Sequence, residues 1–426
     1  MPSKINSVLK EVLSFVKPSE KEIMEINAKL KIFLEKIDKN RKKNKINAQI
    51  FVGGSQAKST MIKKDSYDID VFVRFDKKYK DSMLSDLTEK ILSGQKFIRI
   101  HGSRDYFKIK SGEGLFFEII PVKMVQSPKE SENVTDLSYS HVNYIKKKIK
   151  SEKLLDEIRL AKSFCYANQA YGAESYISGF SGYGIELLVY YYKSFEKFAK
   201  AIAKINLKEK TVIDIEKQHK NKNQILMDIN EAKLKSPIIL IDPTYKQRNV
   251  LAALSMETLA GFQKICINFL KKPDVGFFKQ KVVDIEKVRQ DAKNKGYELL
   301  LIKIATNKQE GDIAGSKLLK FYRYINQEIQ RFYEIKADGF EYSGKKTARA
   351  FYVVKKRRDI LVRGPKVNDK ENVKRFRLKH KIISVKNGQL YSKIQIKGAV
   401  KGFMRDFILK NRDKIKDMSI TGLDVL

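Results

Sequence analysis

Gly53–Phe75 reads GGSQAKSTMIKKDSYDIDVFVRF, and the alternation in its second half decides the fold. Asp68 and Asp70 stand two residues apart in an otherwise apolar run, DIDVFVRF, which predicts a strand over 68–75. Period-two geometry puts both carboxylates on one face, roughly 7 Å apart along the chain. Two like charges on a core strand are costly unless a cation lies between them. Mg²⁺ is the hard, oxygen-preferring ion for such a place. Just upstream, Ala48–Val52 (AQIFV) predicts a strand that ends in Gly53-Gly54-Ser55. A turn of that composition offers free backbone N–H groups and a hydroxyl at a helix N-terminus, where anionic phosphate is favoured. Lys58 follows within a turn and adds a positive charge.

Further strands are expected at Tyr106–Lys110 and Leu115–Val122, joined by Ser111-Gly112-Glu113-Gly114, which has hairpin-turn chemistry. Lys80–Leu92 reads as a helix between the strands, and residues 5–40 read as helical, with Ser19 and Glu22 at capping-box spacing. Glu118 lies in the fourth strand among Phe116, Phe117, Ile119 and Ile120 and needs a partner there. If that strand neighbours the Asp68/Asp70 strand, three carboxylates converge on one or two metals. That constellation serves in-line nucleotidyl transfer. A Gly-Gly-Ser turn or a D-x-D alone is common on solvated edges; the three features in this order are far more specific.

Beyond Ser151 the pattern turns helical, at Leu154–Ala167, at Ser181–Ile205 as one helix or two, and at Leu251–Leu270. From Gly276 it is mixed again. Ile285–Lys295 and Gly315–Tyr333 read as helices, Tyr297–Ile304 and Ala350–Lys355 as strands, and Ile382–Ile396 as a hairpin around Asn387-Gly388. The fold class is therefore α+β. It comprises a catalytic head with a mixed sheet (1–148), a helical neck (149–275) and a basic α/β body and tail (276–426).

The chain has 426 residues, enough for about two or three domains. Its 87 Lys+Arg against 50 Asp+Glu give a formal net charge of +37, a field that attracts polyanions. A membrane is the weaker candidate, because no run of about 18 apolar residues exists and the N-terminal stretch lacks a signal-peptide core. Cys165 and Cys266 are the two cysteines, too few for a disulfide framework or a Cys-based zinc site. A reducing cytoplasm is the expected compartment. Lys345–Arg363 (KKTARAFYVVKKRRDILVR) interleaves basic and aromatic residues in a way that suits RNA phosphates, although a solvated basic face would have the same composition.

The Gly-Ser turn and acidic pair resemble the nucleotidyltransferase superfamily that includes DNA polymerase beta and the poly(A) polymerases. RLAKSFCYANQAYGAESYISGFSGYGIELL at Arg159–Leu188, DPTYKQRNVLAALS at Asp242–Ser255 and Phe277-Phe278 look like the archaeal, class I CCA-adding enzymes, which are tRNA nucleotidyltransferases. The resemblance runs through most of residues 50–280 and returns at Gly364-Pro365 and Phe376–His380.

The resemblance implies metal ligation and catalysis by Asp68, Asp70 and Glu118, and nucleotide contacts from Ser55, Lys58, His141, Lys162, Tyr171 and Arg248. It also implies Mg²⁺ as cofactor, tRNA, ATP and CTP as partners, and stepwise addition of C, C and A without a nucleic acid template. A homodimer stays open. Departures from the family pattern are Glu118 in place of Asp, Leu137 in place of Arg, and Lys63-Lys64-Asp65 in place of a Gly-rich turn. Arg248 has a rationale of its own. A guanidinium only donates hydrogen bonds, so it tolerates the acceptor edges of cytosine and adenine and disfavours uracil and guanine; half of an ion pair with Asp242 is the plainer reading. Other readings are a terminal adenylyl- or uridylyltransferase, and a tRNA-binding protein without catalysis.

Overall fold

The computed structural model describes residues 4–102, 104–280, 283–357, 360–394 and 398–426. They form two units that divide after residue 281.

In the first unit, α1 (Lys4–Val16) and α2 (Glu20–Lys43) are separated at Pro18-Ser19. The predicted capping box forms there: Ser19 Oγ accepts from the Glu22 N–H, and the Ser19 N–H donates to the Glu22 carboxylate at 2.8 Å. There follow β1 (Ala48–Val52), the single-turn α3 (Gly54–Ala57), β2 (Tyr67–Phe75), α4 (Leu84–Ile91), β3 (Ile98–Ile100), β4 (Tyr106–Gly112) and β5 (Leu115–Lys123). The sheet order is β1-β2-β5-β4-β3, with β2 and β5 parallel and the other pairs antiparallel. Alternation explains why β2 and β5 sit at the centre. Ile69, Val71, Val73, Phe117 and Ile119 are buried on one face against Leu30, Phe33 and Ile37 of α2, with Phe33 stacked on Phe117 at 4.6 Å. The other face carries Asp68, Asp70 and Arg74 of β2 and Glu118 of β5 alongside Phe72, Phe116, Ile120 and Val122.

The chain continues through α5 (Ser138–Lys148), α6 (Glu152–Ala167), α7 (Gly182–Tyr192), α8 (Phe195–Ala203), β6 (Thr211–Ile213), α9 (Lys222–Asp228), β7 (Ile238–Asp242), β8 (Tyr245–Asn249) and α10 (Met256–Lys271). Ser181–Ile205 is thus two helices, broken at Lys193, whose φ is 70°, with Ser194 capping the second. The small sheet β6-β7-β8 has no counterpart in the helical reading of this region. Its central strand, IILID, is too short to show a period, and its five residues are all buried. Cys165 and Cys266 are free thiols inside the aromatic core of these helices, which gathers Phe164, Phe180, Phe195, Phe262 and Phe269.

The second unit holds α11 (Ile285–Asn294), β9 (Glu298–Thr306), α12 (Asp312–Gln330), β10 (Tyr333–Tyr342), β11 (Thr347–Lys356), β12 (Ile360–Lys366), α13 (Lys370–Lys379), β13 (Ile383–Lys386), β14 (Gln389–Ile394), α14 (Val400–Lys410), α15 (Arg412–Asp417) and β15 (Ile420–Val425). Its sheets are β10-β11-β9-β15 and β12-β14-β13. The hairpin turn is where Asn387-Gly388 places it, with φ of 49° and 69°; Gln395 and Ile396, at the end of the expected hairpin, lie outside the described residues. Phe351 and Tyr352 of the basic stretch are buried, so they belong to the core, while Arg349, Lys355 and Lys356 are exposed. Among the described residues no helix is long and apolar enough to cross a membrane.

Candidate active site

The parallel register of β2 and β5 sets Asp70 opposite Glu118, and β4 sets Lys108 opposite the same Glu118. Asp68, Asp70 and Glu118 therefore share the face of the sheet that the core leaves open. The Lys108 ammonium bridges two of them, 2.6 Å from Asp68 Oδ1 and 3.1 Å from Glu118 Oε1. Burial, with the Glu118 and Asp68 charges beside it, pushes the Asp70 carboxyl up to about 7 against the pull of Lys58 and Lys162. Burial and Asp68 push Glu118 up as well, although Lys108 opposes the shift.

Among the described residues, no three His, Cys, Asp or Glu side chains are gathered closely enough to hold a metal as they stand. The chemistry nonetheless fits a hard cation. The donors are carboxylate oxygens, burial and their mutual repulsion together raise Asp70 and Glu118, and an ammonium already stands in as the bridging cation for Asp68 and Glu118. Lys108 was not foreseen. Its signal is faint: a lysine at period two in YFKIK, pointing to the same face as a carboxylate on the next strand.

The Gly53-Gly54 turn is moulded onto β2. A Cβ on Gly54, whose φ is +57°, would fall 1.7 Å from Asp70 Oδ2, and one on Gly53 would fall 2.2 Å from the Phe72 ring. The Gly53 N–H donates to the Asp70 carbonyl at 2.8 Å. The turn thus lies directly against the acidic pair, with Ser55 in the first turn of α3 and Lys58 just past its end.

Lys58 reaches Glu186 on α7, with Nζ 2.6 Å from Oε2. Lys162 on α6 reaches the same carboxylate, 2.7 Å from Oε1, and also donates to Thr60 Oγ1 at 2.7 Å. Thr60 Oγ1 in turn donates to Glu186 Oε1 at 2.7 Å. Glu186 is fully buried, and burial by itself would raise its carboxyl, but the two ammoniums hold it down at about 2. Burial lowers Lys162 to about 8, with Glu186 resisting the fall. Neither lysine lies open to solvent: the Lys58 and Lys162 side chains are 8% and 2% exposed, so the Lys162 ammonium faces Glu186 and Thr60 rather than a cleft. Glu186 and Thr60 carried no signal in the sequence beyond a lone acid on an apolar helix.

His141, Arg248 and Tyr183 meet at a second buried carboxylate, Asp242 at the end of β7. His141 Nε2 lies 2.9 Å from Oδ2, Arg248 donates to the same oxygen at 2.6 Å, and the Tyr183 hydroxyl donates to Oδ1 at 3.3 Å. Burial would raise Asp242, but His141 and Arg248 hold it far below the usual carboxylate range. Burial lowers His141, which is stacked on Tyr183 at 4.2 Å. The ion pair anticipated for Arg248 is present. Tyr171 lies apart from this group, half-buried, with its ring 5.3 Å from the Lys64 ammonium.

Residues 30–158 match the nucleotidyltransferase domain family, and residues 156–279 match the family described as tRNA nucleotidyltransferase, second domain. The CCA-adding enzyme of Nanoarchaeum equitans is 39% identical over 274 residues, which span 62% of this chain and 68% of that protein. The chain belongs to the CCA-adding enzymes.

The CCA-adding enzyme of Methanocaldococcus jannaschii is 29% identical over 400 residues, 91% of this chain and 87% of its own length. Among solved structures, the Cid1 poly(U) polymerase with Mg and 3′-dATP bound aligns with a TM-score of 0.51 at 15% identity, covering 66% of this chain and 99% of that one. That likeness is one of fold alone. In this member of the CCA-adding family, one sheet face gathers Asp68, Asp70 and Glu118, the first and last bridged by Lys108.

Proposed function

We propose that this enzyme adds C, C and A to the 3′ end of tRNA from CTP and ATP, releasing pyrophosphate and using no nucleic acid template. The supporting observation is the register that sets Asp70 opposite Glu118 beside the Gly54 turn, in a chain of the CCA-adding family. Asp68, Asp70 and Glu118 would hold the divalent cation, for which Mg²⁺ is our choice. When bound, it lowers the pKa of the attacking 3′-hydroxyl and offsets the charge of the triphosphate. Ser55 and the backbone of the Gly54 turn receive phosphate oxygens, and Lys58, backed by Lys162, supplies positive charge behind them. Arg248 presents donors to the incoming base from its anchor on Asp242, with His141 packed against the same carboxylate, and Tyr171 closes the nucleotide site. In this reading residues 1–148 are the catalytic head, 149–275 the nucleotide-reading neck and 276–426 the tRNA-binding body, and the enzyme works in the cytoplasm.

The test is incorporation of each single NTP into tRNA trimmed of its terminus. CTP alone should extend a tRNA lacking CCA, ATP alone should extend one ending in CC, and Asp70→Ala should extend neither. Tailing by UTP, or ATP addition irrespective of the terminus, would instead mark a uridylyl- or adenylyltransferase.

A further inference from the structure

One carboxylate organises the positive side of the site. Glu186 is fully buried and sits on α7, an otherwise apolar helix whose Ile185, Leu187, Leu188 and Val189 are buried with it. Such a charge is retained at a cost unless its partners need it. It has three partners. Lys58 comes from the end of the phosphate turn, Thr60 from two residues further on, and Lys162 from α6. Arg159, one turn before Lys162, adds a further tie by donating to the Ser59 carbonyl at 2.7 Å.

The three contacts are not equivalent. Lys162 and Thr60 both address Glu186 Oε1 and each other, so they lock one oxygen. The second oxygen, Oε2, is left to Lys58 at 2.6 Å. Lys58 is also the less buried of the two lysines, and it is the cation that most strongly opposes the rise of the Asp70 carboxyl. Two ammoniums on one carboxylate leave an excess of positive charge a short way from Asp70, where a triphosphate must lie if the site is used as proposed above.

We infer that Glu186 is a positioning residue for the nucleotide triphosphate: it fixes the Lys58 ammonium beside the Gly54 turn and is itself fixed by Lys162 and Thr60. It touches no substrate. Its effect falls on the phosphates, which CTP and ATP share, and leaves the base untouched. This rests on the nucleotidyltransfer reading of the site. The groups facing Lys162 are Glu186 on α7, Thr60, Lys58 and Lys64 from the segment after the turn, and Asp70 on β2. Removing the carboxylate leaves lysines repelling one another, and Lys162 then loses its proton more readily.

The experiment uses the full chain with Glu186→Gln, Glu186→Asp and Thr60→Val. Steady-state incorporation is measured on trimmed tRNA, alongside inhibition by inorganic tripolyphosphate. Glu186→Gln should raise KM by roughly tenfold for CTP and ATP alike, with kcat changed by less than about threefold. The tripolyphosphate inhibition constant should rise in parallel. The defect should be larger near pH 8.5 than near pH 6.5, because the buried Lys162 ammonium, lowered to about 8, loses its proton as pH climbs. Glu186→Asp keeps the charge and should recover part of the loss. Thr60→Val keeps every charge and loosens one oxygen, so it should give a smaller KM rise, and it carries the test if Glu186→Gln does not fold. Unchanged KM and tripolyphosphate inhibition in folded variants would overturn the inference, as would a loss confined to kcat or to one nucleotide. A wild-type chain that incorporates nothing would instead overturn the nucleotidyltransfer reading.

Discussion

Replacing Lys108 by Met is expected to tighten divalent-cation binding while weakening the metal-free protein. The ammonium lies 2.6 Å from Asp68 and 3.1 Å from Glu118, and its side chain is 28% exposed against 46% for Asp68, so water screens the group. In that screened limit, a single and a double positive charge about 6 Å apart repel by ~1.4 kcal/mol. That corresponds to roughly a tenfold gain in cation affinity when the ammonium is removed. Without a cation, Asp68 and Glu118 lose their counter-charge, and about 1 kcal/mol of stability goes with a partly exposed bridge of this kind. Met retains the apolar stem beside the Phe116 ring, which lies 4.7 Å from the ammonium, so packing changes little.

Mn²⁺ titration followed by electron paramagnetic resonance measures the affinity. Far-UV circular dichroism melts measure stability, since the chain has no Trp to report by fluorescence. The variant should melt lower than wild type without metal and regain the difference with millimolar Mg²⁺. Equal or weaker Mn²⁺ binding in a normally folded variant would refute the assignment of these carboxylates to a cation.

Asp70→Asn should abolish incorporation yet stabilise the metal-free protein at pH 8. The Asp70 carboxyl is raised to about 7, above its unfolded value, so its contribution to stability is full in acid and lost as pH rises through about 7. Removing the charge should recover about 1–2 kcal/mol at pH 8 and nothing near pH 4, read from urea unfolding at both pH values. Gly54→Ala drives a Cβ to 1.7 Å from Asp70 Oδ2 at a φ of +57°, and displacement of that order is expected to lower kcat/KM by about a hundredfold or more; near-normal kinetics would contradict the packing.

Arg248→Ala should erode the preference for CTP and ATP over UTP. A double-mutant cycle with Asp242→Asn should show a coupling of about 1.5 kcal/mol or more, whereas additive effects would separate the pair. Affinity for tRNA should fall by roughly a hundredfold or more between about 50 and 200 mM salt if the basic surface contacts phosphates, and a flat response would contradict that role.

Much of the sheet was legible because its residues obey a local rule. DIDVFVRF alternates, so its core face and polar face can be read without knowing what covers either. The capping box at Ser19 and the Asn387-Gly388 turn are equally local. The small sheet around IILID escaped because five buried residues in a row have no period. The basic stretch around Phe351 was ambiguous for a related reason: Ala350–Val354 are buried on both faces of the strand, and a run of apolar residues does not show what covers either face.

Composition and order determined that the chain carries paired carboxylates, a glycine turn and an excess of positive charge. These are properties of residue types and short spacings, and they persist however the chain folds. Only the tertiary structure decided which charges meet. Lys108 with Asp68 and Glu118, Glu186 with Lys58 and Lys162, and Asp242 with His141 and Arg248 pair groups brought together by strand register and helix packing. Lys58 and Glu186, 128 residues apart, share an ion pair whose strength depends on separation in space and on exclusion of water, and neither quantity is written in the order of the residues.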